Sequence, residues 1–274
     1  MPAGRLEFRA AVLRQIRAFF DNLGFVEVDT PVRIAAPAPE VHIDCPPSLD
    51  KFLRASPELQ MKKLLAAGME KIYQLGPCFR LGEQGRRHSE EFTMLEWYRK
   101  DAGYLDILRD MEELLSPWTK LHAIPRLTVR EAYLKHAGWD PFAAFDQDRF
   151  DLDMATKVEP NLKGWVFLMD YPPECASLAK LAGGHAERWE LYFNGLELAN
   201  AFTELCDGDE QRRRFALARE ERLALGEADY PLDEEFLGLL PLIGSAAGVA
   251  LGVDRLLMAI SGAANIAEVR ILDT

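Results

Sequence analysis

Several groups of residues in this 274-residue chain have the types and spacing to do chemistry. Glu190 and Glu197 flank Asn194-Gly195, and Asn-Gly between apolar alternations is the strongest short hairpin signal. With Phe193 opposite Leu196, Tyr192 faces Glu197 and Leu191 faces Leu198, so Glu190 and Glu197 share a side as diagonal neighbours roughly 7 to 8 Å apart. Carboxylates that near repel, and a magnesium ion held with phosphates would remove the repulsion. Solvated glutamates are the plainer alternative. In 91–98, period two puts Phe92, Met94, Glu96 and Tyr98 on one face and Thr93, Leu95 and Trp97 on the other. An acid and a phenol beside an aromatic are costly to bury unless they bind something polar; otherwise this is the solvent-facing half of a sheet. Ser56-Pro57-Glu58 reads as an N-cap, a proline at the first helical position and a first-turn acid, where Glu58 serves a ligand or only the helix dipole. Residues 247–255 form a small-residue strand running into a helix. Gly248 and Gly252 suggest a close approach of ligand or backbone, with tight packing the commoner cause, and Arg255 at the helix start suits a phosphate.

The elements that must position these groups are partly legible. Val12, Ile16, Phe19, Phe20 and Leu23 follow helical spacing, with arginines elsewhere and Gly24 as the left-handed cap. Residues 25–30 alternate with period two and stop at Pro31, as an edge or interface strand does. Residues 35–50 read as a proline-rich connector. A helix with Met61, Leu64 and Leu65 on one face stops at Gly68, and 71–79 pairs with 91–98 across the polar loop LGEQGRRHSE. Helices follow at 105–115 and 211–222, while 125–187 is irregular and reads as a possible insertion. Lys plus Arg 32 against Asp plus Glu 44 gives a net charge of -12, which argues against a broad phosphate-tracking surface. The four cysteines are dispersed and read as free thiols, and the absence of a signal segment or a long apolar run leads to the expectation of a cytoplasmic protein without membrane contact.

In order, FVEVDTP (25–31), FR (79–80), HSEEFTMLEWY (88–98), GLELANAFTEL (195–205) and GVALGVDR (248–255) resemble the motifs of class II aminoacyl-tRNA synthetases of the lysyl branch. The set is most similar to the elongation factor P lysine ligases, paralogues that modify a protein instead of charging tRNA. The resemblance runs from about residue 6 to 269 and is loosest over 126–187. It implies an α+β fold, a mostly antiparallel sheet flanked by helices, in a single catalytic domain over 1–274. It also implies a homodimer formed through the first motif. The chain begins almost at that motif, so the expectation is that no anticodon-binding domain precedes it and that tRNA is an unlikely acceptor.

The resemblance also implies a job for each residue. ATP would meet Arg80, Glu83, His88, Ser89, Phe92, Glu197, Leu198, Gly252 and Arg255. Of these, Arg80 would hold the α-phosphate and the amino-acid carboxylate, Arg255 the γ-phosphate with His88 assisting, and Phe92 would stack on adenine. Glu190 and Glu197 would carry Mg2+. Glu58, Tyr98 and Glu204 would bind the side-chain ammonium, Glu96 and Asn200 would orient the other end, and Ser56, Phe202 and Ala250 would complete the pocket. The activity implied is activation of lysine or (R)-β-lysine as an adenylate and transfer to a lysine of elongation factor P. Lysyl transfer to tRNA or another small acceptor, and a non-catalytic dimeric binding module, remain open. Gly82 stands where the family has an acid, with Glu83 a candidate replacement, and Ala250 stands where tRNA-charging enzymes have glycine. Strict alternation from Glu197 would turn Asn200, Phe202 and Glu204 to the wrong face, so a shared pocket predicts a bulge near 199–201.

Overall fold

The computed structural model describes residues 3–270. Along the chain run α1 (Ala3–Asn22), β1 (Val26–Glu27), β2 (Arg33–Ile34), β3 (Pro47–Ser48), β4 (Lys51–Leu53), α2 (Glu58–Ala66), β5 (Lys71–Phe79) and β6 (Glu91–Lys100). Then come α3 (Tyr104–Thr119), β7 (Arg126–Thr128), α4 (Val129–His136), α5 (Gln147–Asp153), β8 (Trp165–Tyr171), β9 (Leu181–Ala182), β10 (His185–Phe193) and β11 (Leu196–Thr203). The last elements are α6 (Gly208–Ala224), α7 (Glu234–Ile243), β12 (Ala246–Gly252) and α8 (Val253–Ser261). These pack as two compact units: the chain up to Lys100 with Cys206–Gly244 and the chain from Gly252, and Asp101–Leu205 with Ser245–Leu251. The α+β expectation holds in both.

In the first unit, β5 pairs with β6 antiparallel from Lys71↔Arg99 to Phe79↔Glu91 without a slip, and β1 lies parallel on β5. Helix α1 starts well before the expected periodicity, buries Val12, Ile16 and Phe20, and is followed by Gly24 at φ 73°. Phe20 stacks on Tyr73 with ring centroids 4.6 Å apart and meets Trp97 at 5.2 Å, so α1 covers the Thr93, Leu95 and Trp97 face. The strand expected over 25–30 shortens to Val26–Glu27 because side chains take over the backbone groups before Pro31. The Gln74 amide accepts from the Thr30 N–H and hydroxyl, and buried Arg54 donates to the Thr30 carbonyl at 2.7 Å.

The connector over 35–50 is more ordered than its composition suggests: β2, β4 and β3 form a small antiparallel sheet. Arg222 of α6, 1% exposed, holds the connector through the carbonyls of Glu40 and Ile43 and the Asp44 carboxylate. Asp207 caps α6 by accepting from the N–H groups of Asp209 and Glu210. In the arginine cluster at 212–214, Arg212 and Arg213 are exposed and Arg214 is mostly covered, with Arg213 and Arg214 on Glu210 and Arg212 on Glu234.

In the second unit the strand order is β12-β11-β10-β8-β7, with β9 also on β10. Only the β7 to β8 pairing among these is parallel. Residues 126–187 are not a loose insertion but supply β7, α4, α5, β8 and β9. A core of Val129, Tyr133, Phe150, Val158, Leu168 and Tyr192 ties them to the sheet. Irregular composition hid this order, since these elements are short and their apolar residues bury against strands distant in sequence. The other face packs on α3, where Phe167 meets Trp189 at 4.9 Å and the Trp189 indole donates to the Tyr104 carbonyl.

The hairpin turn forms at Asn194 (φ 49°) and Gly195 (φ 73°), with Phe193↔Leu196 and Tyr192↔Glu197 as expected. The next pair is Leu191↔Ala199 and not Leu191↔Leu198. Leu198, 2% exposed, is the extra residue of a bulge, one position before the span where it was predicted. Beyond it, Ala199↔Leu251 to Thr203↔Ala247 run in regular register. All four cysteines are free thiols, and among the described residues no helix is long and apolar enough to cross a membrane.

Candidate active site

The first unit concentrates an acidic cluster where α2 meets β6. The Ser56 hydroxyl donates to Glu96 Oε1 at 2.6 Å, and the Tyr98 phenol donates to Glu96 Oε2 at 2.9 Å. Ser56 Oγ also accepts the Glu58 N–H at 2.9 Å, so it caps the helix as expected although α2 begins at Glu58 and not at Pro57. Glu96 and Tyr98 are buried, which rules out a solvent-facing half-sheet. Burial first, then the Glu58 charge, pushes the Glu96 pKa up to about 7, while the two hydroxyl bonds and Arg54 hold it lower than it would otherwise be.

Lys62, four residues after Glu58, was not anticipated. Its side chain is 1% exposed and its ammonium sits 2.5 Å from Glu58 Oε1. An i,i+4 Glu-Lys pair is an ordinary helix-surface signal, and nothing in the spacing indicates that this lysine is buried.

At the end of β5, the Arg80 guanidinium lies over the Phe92 ring at 5.2 Å and Arg80 Nη1 meets Glu83 Oε1 at 3.4 Å. Gly82, where an acid was expected, turns the loop at φ 77° and donates its N–H to Glu90. Arg80 Nε is buried and has no hydrogen-bond partner among the described residues. An arginine with an unused buried donor, beside an aromatic face, fits a phosphate and a base, as ATP requires. Ser89 accepts from Arg270. His88 is accessible, and partial desolvation followed by the positive charge of Arg255 lowers its pKa. Gly252 caps α8, placing Arg255 in its first turn with Nε 3.3 Å from the Arg87 carbonyl.

The second unit builds a different carboxylate site. Glu190 Oε1 accepts from Arg188 at 2.5 Å, and Glu190 Oε2 accepts from the phenols of Tyr171 and Tyr192 at 2.6 Å each. Burial first, then the Glu190 charge, raises both phenol pKa values well above 10, so both remain donors. Glu190 lies opposite Asn200, Arg188 opposite Phe202, and Ala250 opposite Asn200 on β12. Glu197, opposite Tyr192, shares this face because the Leu198 bulge restores its phase with Asn200. Glu204 is 2% exposed, with its N–H on the Ala246 carbonyl. Tyr171 and Arg188 carried no expectation, and Tyr192 only its register opposite Glu197. Arg188 has the same two-residue spacing from Glu190 that links Tyr98 to Glu96, which was the available signal.

A carboxylate accepts at about four lone-pair positions, and Glu190 already uses three. Glu190 can therefore offer a cation at most its remaining position, and Glu197 on the same face is half-buried. Among the described residues no group of three or more His, Cys, Asp or Glu is placed to hold a metal ion. One carboxylate with substrate phosphates is a common magnesium arrangement.

A family model described as tRNA synthetases class II (D, K and N) matches residues 3–272. The elongation factor P--(R)-beta-lysine ligase of Hamiltonella defensa subsp. Acyrthosiphon pisum is 36% identical over 306 residues, covering 98% of this chain and 94% of that protein. Proteins of the same name from Proteus mirabilis and Yersinia enterocolitica are also 36% identical, covering 95% and 98% of the chain and 92% and 94% of their own lengths.

Proposed function

Because the chain belongs to the tRNA synthetases class II (D, K and N), we propose that it is an ATP-dependent ligase that activates lysine or (R)-β-lysine and transfers it to elongation factor P. The observation that carries the reading is Arg80, with its unused buried Nε and its guanidinium over Phe92. In the proposed first step a carboxylate oxygen attacks the α-phosphorus of ATP and pyrophosphate leaves. Arg80 offsets charge developing on the α-phosphate, Arg255 and His88 take the γ-phosphate, Phe92 stacks on adenine, and Glu83, Ser89, Leu198 and Gly252 line the nucleotide. Magnesium, held by Glu197 and in part Glu190, supplies charge neutralisation to the phosphates when bound.

Glu58, Tyr98 and Glu204 take the side-chain ammonium of the donor. Glu96 and Asn200 orient its other end, with Ser56 and Phe202 alongside. In the second step the lysine amine of the acceptor attacks the acyl carbon and AMP leaves. Ala250, in register opposite Asn200, adds a methyl to the amino-acid end and favours the β isomer. The catalytic domain spans 1–274 and works in a cytoplasmic homodimer formed through α1 and β1.

The test is incubation with ATP, magnesium, labelled α-lysine or (R)-β-lysine, elongation factor P and tRNA, counting label in protein and RNA. Label in elongation factor P, greater from (R)-β-lysine, is expected. Label in tRNA overturns the acceptor, and label in neither favours a non-catalytic binding module.

A further inference from the structure

Arg188 has no part in the reaction as proposed, yet it touches two residues that do. Its Nε donates to Asn200 Oδ1 at 3.0 Å and its Nη2 to Glu190 Oε1 at 2.5 Å. Its Nη1 donates to the Cys175 carbonyl at 2.8 Å, and its guanidinium lies over the Tyr171 ring at 4.5 Å. The plane of the fork is thus fixed from several directions. Burial alone would lower the Arg188 pKa, but the Glu190 charge beside it and the other neighbours leave it raised, so the cation is permanent.

We propose that Arg188 is a positioning residue that sets which end of the Asn200 amide meets the amino acid, while holding Glu190 in place. The inference rests on the ligase reading above. Arginine has donors and no acceptor, so the Asn200 atom that faces it must be the oxygen. The two Nδ2 hydrogens are then left for a ligand, and an amide that presents N–H recognises a carboxylate or acyl oxygen and rejects an ammonium. Without Arg188 nothing in this contact distinguishes the two amide orientations, and half of the recognition is lost. A lysine cannot replace the fork, because a point charge on a flexible stem cannot hold Asn200, Glu190 and the Cys175 carbonyl in one plane.

Two probes separate the ends of the donor: lysine, and 1,5-diaminopentane, which is lysine without its carboxylate. Binding of each is measured calorimetrically, with a melting curve for every variant. Arg188→Lys is expected to weaken lysine by about tenfold or more while changing diaminopentane affinity less than about twofold, as loss of a charge-assisted contact predicts. Asn200→Asp, which retains an acceptor for Arg188 but offers the ligand no donor, is expected to weaken lysine likewise without weakening diaminopentane. The double variant binds lysine no more weakly than Asn200→Asp alone, since both changes remove one interaction. Tyr192→Phe, which takes a donor from Glu190 and leaves the Arg188 to Asn200 bond, keeps the ratio of the two affinities.

Equal weakening of both probes by Arg188→Lys, or additive losses in the double variant, overturns the positioning role. If Arg188→Lys does not fold, an unchanged lysine to diaminopentane ratio in Asn200→Asp overturns it instead. A wild-type protein that binds neither α-lysine nor (R)-β-lysine overturns the ligase reading itself, and this inference with it.

Discussion

The two hairpins that carry the candidate carboxylates, β5 with β6 and β10 with β11, place them by different means. The first keeps one register from end to end, so alternation alone puts Phe92, Glu96 and Tyr98 on a common face. The second slips at Leu198, so Glu197 and Asn200, three residues apart, share a face that a regular strand would deny them. The surroundings differ too. Glu96 is met by two hydroxyls from Ser56 and Tyr98, whereas Glu190 has a guanidinium and two phenols. Burial and the neighbouring Glu58 charge hold the Glu96 proton toward neutral pH, whereas Glu190 has the Arg188 cation directly on its carboxylate. The first hairpin therefore carries a carboxyl with a raised pKa and the second a carboxylate braced by an arginine and two phenols.

Inserting one alanine between Leu191 and Tyr192 is the most severe way to break the contrast. It would give Leu198 a partner on β10, make the second hairpin as regular as the first and put Tyr192 and Glu197 on the opposite face from Glu190, Asn200 and Phe202. Lysine-dependent exchange of pyrophosphate into ATP, followed alongside a melting curve, is expected to fall by about a hundredfold or more, the size of effect that losing several polar contacts produces. A folded insertion variant with undiminished exchange contradicts the assigned face.

Glu96→Gln tests the titratable side. The folded pKa of about 7 lies above the ordinary value of 4.5, so the native state retains a proton that the unfolded state has released between those pH values. Stability contributed through this group is accordingly greatest below about pH 4.5 and lost as pH rises toward 7. Denaturant titrations of the two proteins should diverge across this window, with the variant gaining up to about 3 kcal/mol relative to wild type by pH 8. Parallel pH profiles would mean that Glu96 is not the group responsible.

Thr128→Ala is the mildest probe and asks whether the region over 126–187 is an integral part of the second unit. The Thr128 hydroxyl and the Glu131 carboxylate form a reciprocal capping box on α4. Its loss is expected to cost about 1 kcal/mol in global unfolding. Loosening of α4 with no change in the main transition would show that this region is separately stable.

Sequence made the alternating hairpin, the Asn-Gly turn and the glycine stops readable because each is set by local stereochemistry. Helix α1 and the β5 to β6 register follow from periods of 3.6 and two. It did not reveal Lys62 or Arg188, because which polar side chain becomes buried depends on partners brought in by tertiary folding. The bulge was foreseen only because the required residues could not otherwise share a face, which fixes its existence better than its position. The small sheet of β2, β4 and β3 was missed for a related reason: its strands are two or three residues long, too short for any period to show.

Arg80 is the residue through which this chain is proposed to activate an amino acid. The direct measurement is amino-acid-dependent exchange of labelled pyrophosphate into ATP by wild type and Arg80→Lys, with each lysine isomer. Exchange by wild type is expected to depend on lysine or (R)-β-lysine and to fall by about a hundredfold or more in the variant, as loss of an oriented charge-stabilising donor does. Exchange that needs no diamino acid, or that survives in Arg80→Lys, would contradict it.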